Sequence, residues 1–379
     1  VFLKLPPAIR KIILKIHLWL GLSTGLVVFI VAITGAMYCF APELQQLTQP
    51  YRSVEAKKER FLPASTLIAI AEKQIPDKKV KRLYYGQSNK AAYALFFEKG
   101  GYYHAVFMNP YDGTVLKTKN MRKDFYNIIL YLHFTLLIPY GQEIVGWCTL
   151  IFFVMIVSGI ILWWPRNKAA KKARFQIKWG TSIKRLNYDL HNVLGFYASW
   201  VLIFIVFTGL IWAFDGFAKT IYHITGETKS IIQQQLPVSD THQKKEVVTE
   251  KVVDKVWYKI EKEMSDTYKG VEFILPQNYS AALLVRANPS ANVFYKTDYR
   301  YFDQYSAKEF EGSYGWGKYS DVSTLSDRIR RMNYDIHIGS VLGLPGRIAA
   351  FLAALIAASL PVTGFLIWQG KKKVKKIHR

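Results

Sequence analysis

Two cysteines are all that this chain contains, Cys39 and Cys148, and both fall inside long apolar runs. No CxxC or CxxCH spacing occurs, which excludes a disulfide framework and covalent attachment of a c-type haem. The plain reading of both is a buried small apolar residue. Acid is scarce as well: 27 Asp and Glu stand against 51 Lys and Arg, a formal net charge of +24. No carboxylate lies inside any long apolar run, so no span offers a group to couple protons, and a transporter is disfavoured. A dinucleotide fingerprint is missing too. Gly312-Ser-Tyr-Gly315-Trp-Gly317 does not follow a strand and open a helix, so no NAD or flavin site is expected. The chain begins at Val1, as a trimmed or truncated chain would.

What is present is apolar length. Leu18–Ala41, Ile144–Trp164, Asn192–Phe214 and Ile348–Gln369 contain no charged side chain. At about 1.5 Å per residue each crosses a hydrocarbon core roughly 30 Å thick. The first run is too long for a signal-peptide core and lacks a small-residue cleavage site, so it is expected to stay as an anchor. A histidine stands just before or at the start of each run: His17, His133, His191 and His337. Ionisable residues there are costly and imply function, and imidazole is the commonest metal ligand.

Charge sets the expected orientation. The residues before His17, the loop 166–188 and the tail after Gln369 are rich in Lys and Arg, with Asp189 as the one nearby acid. The positive-inside rule places both termini and that loop in the cytoplasm. The basic balance then reflects topology and attraction to anionic membrane lipid. Nucleic acid is not an expected partner, because interleaved base-stacking aromatics are missing.

The expected fold is α-helical and membrane-embedded, with four transmembrane helices and two small α+β external domains. Its divisions are the N-terminus and first transmembrane helix (1–42), a first external domain with an interfacial helix (43–142) and the second transmembrane helix (143–165). The basic loop (166–188), third helix (189–215), second external domain with an interfacial helix (216–347), and fourth helix with its basic tail (348–379) follow. In the first domain the pattern predicts a helix over 64–74. Strands over 93–97 and 102–108 flank the Lys99-Gly100-Gly101 hairpin signal, and Asn109–Gly113 forms a turn. In the second it predicts a helix over 245–264, strands near 272–275 and 281–286, Tyr-rich strands over 293–305 and a loose stretch over 239–246.

The chain reads as an internal duplication. An offset of about 174 carries His17, Gly21, Thr34-Gly35 and Phe40 onto His191, Gly195, Thr208-Gly209 and Phe214. An offset of about 205 carries Ser158-Gly159 and Trp163 onto Thr363-Gly364 and Trp368, and His133 to within one residue of His337. His17 and His191 then lie at the cytoplasmic end, and His133 and His337 at the external end, where Pro139 and Pro345 can break an interfacial helix from the span. Gly21 and Gly195 clear space one turn above their histidines. Gly35 and Gly209 are level with the external pair, and Gly159 and Gly364 with the cytoplasmic pair. Two histidines facing a small-residue slot suit a flat macrocycle, and bis-imidazole ligation is a known way to hold haem iron. Two non-covalent haems b are the expected cofactors. The plain alternatives are close helix packing for the small residues and another metal, although zinc prefers three or four clustered ligands.

Other residues carry less. His223 is a candidate fifth ligand, with a loop histidine as the plainer reading. His104 is expected on a solvated strand, and His242 and His378 have no assigned role. Trp163, Trp164, Trp212 and Trp368 fit an aromatic belt, with a place on an electron path kept open. Tyr102, Tyr103, Tyr295, Tyr299, Tyr301 and Tyr305 suit either a siderophore cradle or core packing.

The His17-x3-Gly21…Thr34-Gly35-Ala36, Leu132-His133…Ser158-Gly159-Ile-Ile-Leu-Trp-Trp-Pro-Arg166, Asp189-Leu-His191 and Asp335-Ile-His337…Gly343-Leu-Pro-Gly-Arg347 segments resemble the PepSY-associated membrane proteins. Phe107–Leu116 is similar to the strand-turn of a PepSY domain, whereas the second external domain matches that pattern poorly. The resemblance spans nearly the whole chain and implies a haem-b protein of the bacterial inner membrane, related to ferric-siderophore reductases. It implies electrons passing outward to Fe(III) in a chelate, from a separate cytoplasmic or quinol donor, since the fused flavoprotein domain of some relatives is not seen here. Two other classes stay open: a membrane-anchored PepSY binding or inhibitory module, and an oxidoreductase with another acceptor such as quinone.

Overall fold

A computed structural model describes residues 5–165, 174–226, 236–240, 250–264, 267–311, 316–322 and 324–377, without the side chains of 371–377. His242, His378, Lys4, the loop cations 166–172 and the glycine-rich 312–315 lie outside the described residues. The chain forms two compact units. One comprises Val1–Phe40, Ile129–Ala218 and Asn333–Arg379, the other Ala41–Ile128 and Lys219–Met332.

The first unit is helical. Four of its described helices are long and apolar enough to cross a membrane: Pro7–Cys39, Gly141–Trp163, Ile183–Ala213 and Ser340–Gly370. They are apolar around most of their circumference, as lipid on one side and protein on the other require. Pro7 costs nothing in the first turn, where no intrahelical partner exists for its missing N–H. The far end of this helix is capped from the fourth, where Arg347 Nη2 donates to Cys39 O at 2.6 Å and its guanidinium lies 4.9 Å from the Phe40 ring. The first and third helices each pack on the second and fourth. Val28, Phe152, Leu202, Leu210 and Ala357 belong to the core between them.

Short helices, Phe125–Thr135 and Leu325–His337, precede the second and fourth spans. The first break contains Pro139, with Leu136, Leu137 and Tyr140 at φ of 52°, 56° and 57°. The second break is not made by Pro345, which sits in the first turn of Gly343–Ile377, where proline is tolerated. It is made at Gly339, φ 79°, where a side chain would collide with the Gly346 carbonyl.

The second unit corrects the expectation of two separate domains. Helix Ala64–Gln74 leads into β1 (Arg82–Tyr85), β2 (Ala92–Phe97), β3 (Tyr103–Met108) and β4 (Val115–Asn120); helix Glu250–Met264 leads into β5 (Gly270–Ile274), β6 (Leu283–Asn288) and β7 (Asp298–Phe302). These strands form one seven-stranded sheet in the order β4-β3-β2-β1-β5-β6-β7. The join is antiparallel pairing of β1 with β5, Leu83 opposite Phe273. Either half alone would leave a short strand with an open edge, and pairing the edges removes both. The core is shared as well. Trp257 of the second segment is fully buried and stacks on Tyr85 of the first, with centroids 4.0 Å apart. Asp254 accepts from the Ser65 amide and hydroxyl at 3.0 and 2.6 Å, tying the two helices together.

Candidate functional site

The helical unit brings the four histidines together in two pairs. Two cavities, each of about 480 Å³, lie within the bundle; His133 and His337 line one, and His17 and His191 the other. That size falls within the roughly 300–1,000 Å³ usual for ligand pockets. Both walls are mainly apolar. Along the first helix, His17 and Thr34 lie near opposite ends, so the cavities occupy the two ends of the bundle.

Each histidine is held by the neighbouring helix of its own half. Its Nδ1 meets a hydroxyl: His17 to Ser158 Oγ at 2.8 Å, His133 to Thr34 Oγ1 at 3.3 Å, His191 to Thr363 Oγ1 at 2.9 Å and His337 to Thr208 Oγ1 at 3.0 Å. The hydroxyl protons have acceptors of their own. Ser158 donates to Met155 O at 3.0 Å, Thr34 to Ile30 O at 2.6 Å, Thr363 to Ser359 O at 2.9 Å and Thr208 to Phe204 O at 2.8 Å. With its proton on that carbonyl, each oxygen is free to accept from Nδ1. His133 and His337 have a second acceptor, Val31 O at 2.9 Å and Ile205 O at 3.0 Å, and a carbonyl can only accept. These carbonyls set His133 and His337 as the Nδ1–H tautomer, with the Nε2 lone pair available for a metal, and the hydroxyls beside His17 and His191 accommodate the same tautomer. Among the described residues no Nε2 of the four makes a hydrogen bond. Donation from the second ring nitrogen is how ligating histidines are normally oriented.

The glycines make these bonds possible by receiving the rings themselves. A Cβ at Gly35 would stand 2.9 Å from His133 Cε1; at Gly364, 3.3 Å from His191 Cε1; at Gly159, 3.4 Å from His17 Cε1; and at Gly209, 3.6 Å from His337 Cε1. Gly21 and Gly195 also line the His17/His191 cavity, but their closest neighbours are Met155 and Leu360 rather than the histidines. His191 differs from the others in sitting on a wide π turn, Leu190–Leu194, inside its helix. Such turns are rare and concentrate at functional sites.

Each cavity offers two imidazoles, which could together hold a metal ion. The rings of His133 and His337 have centroids 6.1 Å apart. Two imidazoles that held one ion between them, with bonds of roughly 2 Å and about 1 Å more to each ring centre, would have centroids up to roughly 6 Å apart. Among the described residues no group of three or more His, Cys, Asp or Glu could hold a metal, so a zinc-like cluster is not formed.

Other candidates separate from the cavities. His223 is exposed on helix Asp215–Thr225. His104 is half-buried rather than solvated, with an Nδ1 that has no hydrogen bond among the described residues. Burial, with Lys78 second, lowers its pKa. Trp163 is not a belt residue: it is buried, stacks on Phe196 at 3.5 Å and donates to Arg174 O. Trp212 lies edge-on to His337, centroids 5.0 Å apart. Cys39 and Cys148 line the His133/His337 cavity. Tyr301 is buried in its strand, and the other five tyrosines singled out are half-buried. The hydroxyl acceptors were the residues least visible in sequence; their signal was the Ser or Thr standing before each ring-receiving glycine.

No curated protein matches the chain. A family model described as the PepSY-associated TM region matches residues 14–371. The chain is a helical membrane protein and belongs to the PepSY-associated TM family.

Proposed function

We propose that this protein is a di-haem electron-transfer protein of the bacterial inner membrane that reduces ferric iron in siderophores or similar chelates, releasing Fe(II). The observation that carries the reading is a repeated arrangement: four histidines with Nδ1 against a hydroxyl, paired by two cavities. Haem iron, when bound, supplies a one-electron couple, and a pair of histidines leaves it no open position for oxygen activation. His17 and His191 would hold one group, His133 and His337 the other. Mainly apolar walls surround both. Each pair takes one histidine from each half of the chain, as expected if the halves arose by duplication with the sites at their interface.

The basic segments favour cytoplasmic termini, which puts the sheet-forming segments in the periplasm and the His133/His337 pair at that end. Electrons enter from a separate cytoplasmic or quinol donor and leave to a chelate on the periplasmic side. Fe(II) is a softer and weaker partner than Fe(III) for hard oxygen donors, so reduction loosens the chelate. The test is anaerobic: dithionite-reduced protein, freed of excess reductant, is mixed with a ferric siderophore and a ferrous chelator. Reoxidation in step with Fe(II) capture is expected. Reduced protein that ignores ferric chelates of every class but is oxidised readily by a quinone would move the assignment to another acceptor, and colourless purified protein would leave the spans as an anchor.

A further inference from the structure

The partition between the two cavities is a single layer of side chains. Val28, Phe152 and Leu202 line both of them, from the first, second and third helices. Phe152 is the largest of the three and is 9% exposed. The offsets that relate the halves make this layer informative. Val28 corresponds to Leu202, but Phe152 corresponds to Ala357, which is 1% exposed in the same core. Two phenylalanines facing each other at the centre would overpack it, and two alanines would leave a void joining the cavities. The chain has one of each, so only one half supplies an aromatic ring to this layer.

We propose that Phe152 is the positioning residue that couples the two sites, closing the gap through which an electron tunnels. This rests on the di-haem reading. With a redox group held by each pair, the step would be a one-electron exchange in which the group at His17/His191 is oxidised as that at His133/His337 is reduced. No proton need move, because each ring nitrogen that faces away from a cavity is already committed to a hydroxyl. Phe152 is not itself oxidised. It supplies packed matter where a void would attenuate tunnelling more steeply, and an apolar wall that denies water a place between the sites.

The test compares the wild-type protein with Phe152→Ala, Phe152→Tyr and the double variant Phe152→Ala/Ala357→Phe, which fills the centre from the other half. Haem per chain is measured first. A substoichiometric pulse of a one-electron reductant then reads redistribution between the sites, with His191→Ala and His337→Ala providing the spectrum of each site alone. Phe152→Ala should keep both haems and redistribute severalfold more slowly, Phe152→Tyr should match wild type, and the double variant should recover the rate. Redistribution at the wild-type rate in fully loaded Phe152→Ala overturns the proposal. So does a double variant that loads both haems and stays slow. If Phe152→Ala loses haem, recovery of both loading and rate in the double variant still supports it. A wild-type chain that binds no haem removes the functional reading and this one together, whereas two haems with an indifferent Phe152 removes this one alone.

Discussion

Adding one methyl at each ring-receiving glycine should produce a graded series whose order is set by distance. Gly35→Ala places a carbon 2.9 Å from His133 Cε1 and 3.3 Å from its Nδ1, inside normal contact, so the ring must shift. That ring is not free to swing, because Nδ1 bonds Val31 O at 2.9 Å as well as Thr34. Overpacking of this kind costs about 1–3 kcal/mol. The intrinsic gain of alanine over glycine in a helix, about 1 kcal/mol, offsets part of it. A net loss of up to about 2 kcal/mol falls on the geometry of the ring, which is up to roughly thirtyfold weaker retention of haem at that site. At Gly209 the nearest atoms are His337 Cε1 at 3.6 Å and Thr149 Cγ2 at 3.7 Å, both ordinary contacts. Gly209→Ala should load normally and be as stable as wild type or more so. Gly364→Ala and Gly159→Ala, at 3.3 and 3.4 Å, fall between. Haem per chain, rate of haem loss to a scavenger and thermal unfolding of detergent-purified protein measure the series. Equal loss in all four variants, or a Gly209 variant worse than the Gly35 variant, refutes the idea that these glycines act by admitting the histidine rings.

Removing a ligand should act on one site only: His191→Ala empties its own cavity and spares the absorption of the other site, and His337→Ala does the reverse. Uniform loss from both in folded protein would contradict the pairing. Thr363→Val keeps the shape but removes the acceptor for His191 Nδ1, so haem affinity at that site should fall about 10- to 100-fold, as for other outer partners of metal ligands; a titration with haem that finds no change would show that hydroxyl to be idle. Acid should weaken the sheet unit through Glu309. Burial pushes its carboxyl up, but hydrogen bonds from Arg300 and Lys259 outweigh that and hold it at about 2. Since the folded value lies below an unfolded one of about 4.3, its contribution is complete above that pH and is lost as pH falls towards 2. Denaturant unfolding followed by tryptophan fluorescence should show this slope, and Glu309→Gln should flatten it while weakening the unit at neutral pH.

Much of this was legible from residue patterns, and the limits have physical causes. Charge-free length exposed the spans, and period-2 alternation with Gly-rich turns exposed β2 and β3, because these signals are local. Helix 64–74 matches the expected boundaries. The join of β1 to β5 was not legible: residues 82–85 carry no mark of a partner nearly half the chain away. Nor was the role of Thr34, Ser158, Thr208 and Thr363. Small polar residues in spans usually mean close packing, and only the position of a ring from another helix turns them into acceptors. The glycines were expected to make room for a cofactor; four of them receive histidine rings. The π turn at His191 left no trace in sequence, since its neighbours are ordinary helix formers.

The β1–β5 seam has a consequence for how the chain is made. The strands arise on opposite sides of two spans, in segments that emerge on the same face of the membrane because two crossings separate them. Until the second segment joins it on that face, the first has β1 as a raw edge, with unpaired amides and Tyr85 lacking its cover from Trp257. Sheet closure is thus a checkpoint on membrane insertion. A third helix that failed to cross would strand β5 on the wrong side, and the exposed edge would mark the chain for proteolysis before any cofactor could be lost on it.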